Sequence, residues 1–133
     1  MVNMISKILK ICFAIFVFSS NFLFADDNYE KAKELFKKSI ETEDDQIKLR
    51  YREEIVKLVP DSDIGYFSKA YLIKEGSEKD TEEVIKLYTR AIEKNKKFSY
   101  AFVNRGVIYH NKGDLDKALQ DYNKGEELNP KYY

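Results

Sequence analysis

Apolar and small residues recur at steps of three and four in two runs between Ser99 and Pro130, and Gly113-Asp114 separates the runs. Phe102, Gly106 and Tyr109 share one face of the first run. Leu115, Ala118, Leu119 and Tyr122 share one face of the second, and Gly125 follows about a turn later. A period of three to four residues is that of an amphipathic helix, so the segment predicts two short helices folded back on each other. Gly106 and Ala118 are small enough for the two backbones to approach closely, and the aromatic rings fill the space around them. Pro130 closes the unit, because the residue before a proline is disfavoured in helix.

The pattern recurs upstream. Asp80, Val84, Ile85, Tyr88, Ala91 and Asn95 align with Asp114, Ala118, Leu119, Tyr122, Gly125 and Asn129 at one constant offset. Tyr66, Ala70 and Ile73 align with Phe102, Gly106 and Tyr109 at a slightly larger one, because the turn Glu75–Lys79 is longer than Asn111–Gly113. Two successive repeats follow. A third unit, from Asp27 to Pro60, is more degenerate. Asp27-Asn28 can cap a helix to about Thr42 with Tyr29, Ala32, Phe36, Ser39 and Ile40 on one side. A second helix is expected from Asp44-Asp45, carrying Ile47, Tyr51, Ile55 and Leu58 inward and stopping before Pro60. The run YEKAKELFKKSIE also reads as the second helix of a repeat, in which case the hairpin order is irregular and this unit is a capping pair. Three hairpins with an atypical first one is the favoured arrangement.

The order aromatic, small, Tyr, then Ala, aromatic and closing Pro, carried by Phe102, Gly106, Tyr109, Ala118, Tyr122 and Pro130, resembles the tetratricopeptide repeat. Arg105 departs from it, since the family has an apolar residue there. The resemblance implies an all-α fold of antiparallel helix hairpins stacked in a right-handed α-solenoid. Its units would be residues 26–60, a degenerate capping repeat, then 61–97 and 98–133. It also implies a non-catalytic protein–protein interaction module whose first helices line a concave groove for a peptide or partner protein. Carried over position by position, the groove set is Phe67, Tyr71 and Lys74 from the middle unit and Tyr100, Val103, Asn104, Val107 and His110 from the last. Asn104 matches an asparagine that many members use to hydrogen-bond a ligand backbone. The pair of basic residues with which some members clamp a peptide carboxylate is not found among these positions, so the resemblance does not support a C-terminal carboxylate ligand.

Residues 1–25 differ from the rest. Lys7 and Lys10 precede the apolar run Ile11–Phe18, then come Ser19-Ser20-Asn21, Phe22-Leu23-Phe24-Ala25 and the acidic Asp26-Asp27. A basic start, a short apolar core and a small residue at the cut are the layout of a secretory signal peptide, here a signal helix ending at Ala25. The apolar core falls short of the roughly 20 residues of a membrane span. The expected product is a secreted or periplasmic protein of the cell envelope, with a retained N-terminal anchor as the alternative. Cys12 is the single cysteine, and Lys10-Ile11 before it does not resemble a lipoprotein lipidation site. Cleavage would leave no thiol and therefore no disulfide.

Over the whole chain 23 basic residues balance 23 acidic ones, and loss of Lys7 and Lys10 tips the mature chain slightly acidic. With no basic stripe, nucleic acid and anionic membrane are poor partners. Catalysis finds little support. His110 is the sole histidine, with no second metal ligand at helix spacing. Asp44-Asp45 and Glu53-Glu54 read as solvated faces, and no phosphate loop or nucleophile elbow is present. No catalytic residue, metal or cofactor is expected. Of the ten tyrosines, Tyr66, Tyr88, Tyr109 and Tyr122 fall on inward faces, whereas Tyr71, Tyr100 and Tyr29 fall elsewhere. An alternative function is a structural subunit of an envelope assembly. It would dock, or self-associate, through an uncovered C-terminal end, with Ile108 and Leu128 the expected exposed apolar residues.

Overall fold

A computed structural model describes residues 26–73 and 76–132, and all regular structure among them is helical. Helix α1 covers 26–41, α2 Asp45–Leu58, α3 Asp63–Leu72, α4 Glu78–Lys94, α5 Ser99–Asn111 and α6 Leu115–Leu128. A 3-10 turn, Pro130–Tyr132, follows. Residues 1–25, on which the expected signal peptide falls, and residues 74, 75 and 133 lie outside the described residues.

Local chemistry sets the helix starts. Asp44 accepts from the backbone N–H groups of Gln46 and Ile47 at 2.8 and 3.0 Å. Ser62 accepts from Gly65 N–H at 3.0 Å, and Ser77 from Asp80 N–H at 3.2 Å. Each such cap satisfies a donor that the first helical turn leaves open, a contribution of about 1 kcal/mol. Between α5 and α6 the chain reverses through Gly113, whose φ of +81° is a region that favours glycine.

Consecutive helices pack from α2 through α6. Helix α1 does more than lie beside its neighbour. Phe36 places its ring 5.4 Å from Phe67 on α3, 5.4 Å from Phe98 at the start of α5 and 5.7 Å from Tyr100 on α5. Edge-on aromatic pairs of this kind contribute about 0.5–1.5 kcal/mol each beyond the area they bury. One side chain of α1 therefore joins the first helices of both later units, which places α1 across the side where those helices face a common centre.

Two polar networks fix how the helices meet. Tyr29 donates to Asp63 Oδ1 at 2.7 Å, and Asn95 Nδ2 donates to Asp63 Oδ2 at 2.8 Å, linking α1, α3 and the end of α4 around a buried carboxylate. Burial, and then the bond to Asp63, raise the Tyr29 pKa well above its ordinary value. Farther along, Arg105 forms a two-pronged pair with Asp121: Nε to Oδ2 at 2.7 Å and Nη2 to Oδ1 at 2.8 Å. Its Nη1 donates to Thr89 Oγ1 at 2.9 Å. The residue that departs from the repeat pattern thus ties α4, α5 and α6 together. The hydrogen bond to Asp121 raises the Arg105 pKa against the opposing effect of burial.

This pair accounts for a correction. Leu115 and Leu119, expected inward, are 61% and 59% exposed. The buried stripe of α6 runs instead through Ala118, Asp121 and Gly125. Asp121 is drawn inward to meet Arg105, and a helix cannot turn both Asp121 and the Leu115/Leu119 edge to the same neighbour. Ile108, expected to be exposed, is only 7% so and belongs to the core cluster, while Leu128 is half-buried. Ile40 and Ile47 are also exposed rather than inward, flanking the turn between α1 and α2.

Candidate functional site

A cavity of about 180 Å³ opens where α1, α2, α3 and α5 converge. Its wall is built largely from pairs of residues one helical turn apart: Lys48 and Arg52 on α2, Phe67 and Tyr71 on α3, Tyr100 and Asn104 on α5, with Ser39 and Ile40 completing it from α1. Residues four apart stand on the same helix face, so three helices each present one edge to the same space.

Arg52 is the unusual member. It is 2% exposed, and its guanidinium carbon lies 4.4 Å from the ring centre of Phe36, 4.8 Å from Phe67 and 5.2 Å from Tyr71. Aromatic faces attract a cation electrostatically, and the flat guanidinium is less strongly hydrated than an ammonium, so arginine tolerates this setting where lysine would not. Lys48, a turn earlier, pairs with the exposed Asp45 at 3.2 Å. Ser39 donates to Phe36 O at 2.6 Å and Asn104 Nδ2 to Tyr100 O at 2.8 Å, which orients both side chains. None of the lining residues is Asp or Glu.

Of the groove residues expected from sequence, Phe67, Tyr71, Tyr100 and Asn104 meet at this cavity. Phe67 forms its floor: at 2% exposure it is a core ring, packed on Phe36, Tyr88 and Phe98. Val103 is half-buried, and Val107 and His110 are exposed on α5 away from the lining. Lys74 falls outside the described residues. Sequence reasoning missed Lys48 and Arg52. Their spacing of four was legible, but on an isolated helix such a basic pair reads as a solvated face, and only α1 and α3 turn it into a wall.

Two larger depressions, of about 470 and 500 Å³, lie beside α4 and share Tyr66, Lys86 and Arg90. Their charge is largely compensated, with Lys86 paired to Glu83 at 3.4 Å and Lys69 to Asp61 at 3.7 Å. Among the described residues no group of three or more His, Cys, Asp or Glu is gathered to hold a metal ion. Nor is any described helix long and apolar enough to cross a membrane.

Residues 99–132, which comprise α5, α6 and the closing 3-10 turn, match the tetratricopeptide repeat family. Among curated proteins none matches the chain. The last helical pair is therefore similar to a repeat that generally mediates protein–protein interaction and is typically non-catalytic.

Proposed function

We propose that this protein is a protein-binding module of the cell envelope, exported by its N-terminal leader, that takes a peptide or partner protein on the face formed by α1, α3 and α5. The observation that carries the reading is the convergence of Tyr71, Tyr100 and Asn104 on one cavity, next to a repeat whose relatives bind proteins. Aromatic edges beside an oriented amide give a peptide both area and hydrogen bonds, an arrangement that commonly yields about micromolar affinity. Stacking of the hairpins into a right-handed solenoid with 26–60 as the capping unit belongs to the same proposal.

A second reading rests on Leu115 and Leu119. One turn apart and both exposed, they form an apolar edge on α6, whereas Ile85, which the repeat aligns with Leu119, is packed against the core. Docking or self-association through that edge is the alternative role. The two readings separate by site-specific photocrosslinking in the native cell. A crosslinker at Tyr71 should give one discrete adduct that disappears with Tyr100→Ala, while a crosslinker at Glu93 gives none. An adduct obtained only from Leu119 would refute the groove reading in favour of the edge.

A further inference from the structure

Leu115 and Leu119 are 61% and 59% exposed, and Glu126, seven residues after Leu119, continues the same edge of α6. The internal repeat supplies the comparison. The equivalent positions on α4 are Thr81 and Ile85, where both residues are half-buried and α5 packs beside the helix. The uncovered edge is therefore the more apolar of the two, the reverse of what contact with water alone favours. Its charges are unmatched as well. On α6, Lys117 pairs with Asp114, Lys124 with Glu127 and Asp121 with Arg105. Among the described residues this leaves Asp116 and Glu126, both exposed, without an ion-pair partner. Free carboxylates beside the leucines disfavour an anionic lipid surface as occupant and favour a basic one.

In the run of consecutive packings α6 is the last helix and α2 the first. The outer edge of α2 is the counterpart of the α6 edge. Ile47 is 38% exposed, and the exposed Arg50 and Lys57 follow on the same side of the helix. Lys48 pairs with Asp45 and Glu54 with Lys31, which leaves Arg50 and Lys57 among the described residues without an ion-pair partner. The spacings also agree. Lys57 lies about 15 Å beyond Ile47 along its helix axis, and Glu126 lies about 10 and 16 Å beyond Leu119 and Leu115 along its own. Laid side by side in the same direction, the two edges bring Ile47 onto the leucines and Lys57 onto Glu126. In the opposite direction Lys57 would face the leucines. We infer that the α6 edge receives the α2 edge of a second copy of this chain, so that copies join head to tail. The assignment rests on the edge reading of α6 and deepens it, and the cavity takes no part. A contact between two unlike edges leaves one of each kind free, so growth passes beyond a pair of copies.

Sedimentation equilibrium of the full chain over a concentration series up to about 1 mM tests this. The mean mass of the parent should rise past that of two copies. Leu119→Lys blocks the α6 edge and Lys57→Glu blocks the α2 edge, and both positions are exposed, so the fold is kept. Each variant alone should associate at least about tenfold more weakly, the first through lost apolar burial and a buried charge, the second through like charges brought together. An equimolar mixture of the two should form a pair of copies and nothing larger, because the one intact α6 edge meets the one intact α2 edge. Adding Glu126→Lys to Lys57→Glu should regain association, since both sides of the pair are then reversed. Loss of association with Leu119→Lys but not with Lys57→Glu overturns the head-to-tail assignment and leaves the α6 edge reading standing. Association that neither substitution weakens overturns the assignment. So does a parent that stays monomeric throughout, and the crosslink from Leu119 then shows separately whether the edge serves a different partner.

Discussion

Replacing Arg105 by leucine would restore the residue type that the repeat pattern has at this position, and it should nevertheless destabilise the protein. In the native fold Arg105 makes two bonds to Asp121, at 2.7 and 2.8 Å, and one to Thr89, at 2.9 Å. Both members of the pair are largely withdrawn from solvent, with side-chain exposure of 17% and 7%. Arg105→Leu leaves the Asp121 carboxylate in place without its counter-charge, and breaking a buried pair in this way costs about 3–5 kcal/mol. Against a typical total of about 5–15 kcal/mol, that is a large fraction. For a domain of this size it corresponds to a fall in Tm of at least about 12 °C. The double variant Arg105→Leu/Asp121→Leu removes the stranded charge as well as its partner, and should recover most of the loss. Thermal melts of the parent, both single variants and the double variant, followed by circular dichroism, decide the matter. If Arg105→Leu melts like the parent, the pair does not hold α5 to α6. If the double variant is as unstable as the single, the cost lies in lost packing and in the Thr89 bond rather than in a buried unpaired charge.

Three further outcomes are expected. Gly65→Ala should be poorly tolerated, because the added methyl would stand 2.0 Å from the Val59 carbonyl oxygen; a cost of about 1–3 kcal/mol is expected by chemical denaturation. Gly106→Ala should cost less, since the nearest atoms belong to the Tyr122 ring edge at 2.9 and 3.0 Å, whereas Gly106→Leu should be severe; equal melts for the two would show that the ring is free to swing away. Tyr29 has a folded-state pKa raised above its ordinary value of 10.0, so its contribution is complete below that pH and is lost as pH rises beyond it. Tyr29→Phe should therefore flatten the alkaline decline of stability relative to the parent in melts from neutral to strongly alkaline pH, and an unchanged slope would remove Tyr29 from that account.

Much of the helical layout was determined by sequence, because its determinants are local. The period of three to four residues, the caps Asp44, Ser62 and Ser77, the glycine at the last turn and the prolines after α2 and α6 all act within a few residues of themselves. The small-against-large pairing of Gly106 with Tyr122 was legible for the same reason, since the repeat pattern stores it as a spacing. Which edge of α6 turns inward was not legible. It depends on an ion pair between two helices, and that pair draws Asp121 toward the core and leaves Leu115 and Leu119 in water. The candidate site divides along the same line. Tyr71, Tyr100 and Asn104 could be placed from the pattern, because each stands at a repeat position. Arg52 could not: a guanidinium four residues after a lysine is an ordinary solvated charge until Phe36 and Phe67, brought from two other helices, close over it and exclude water.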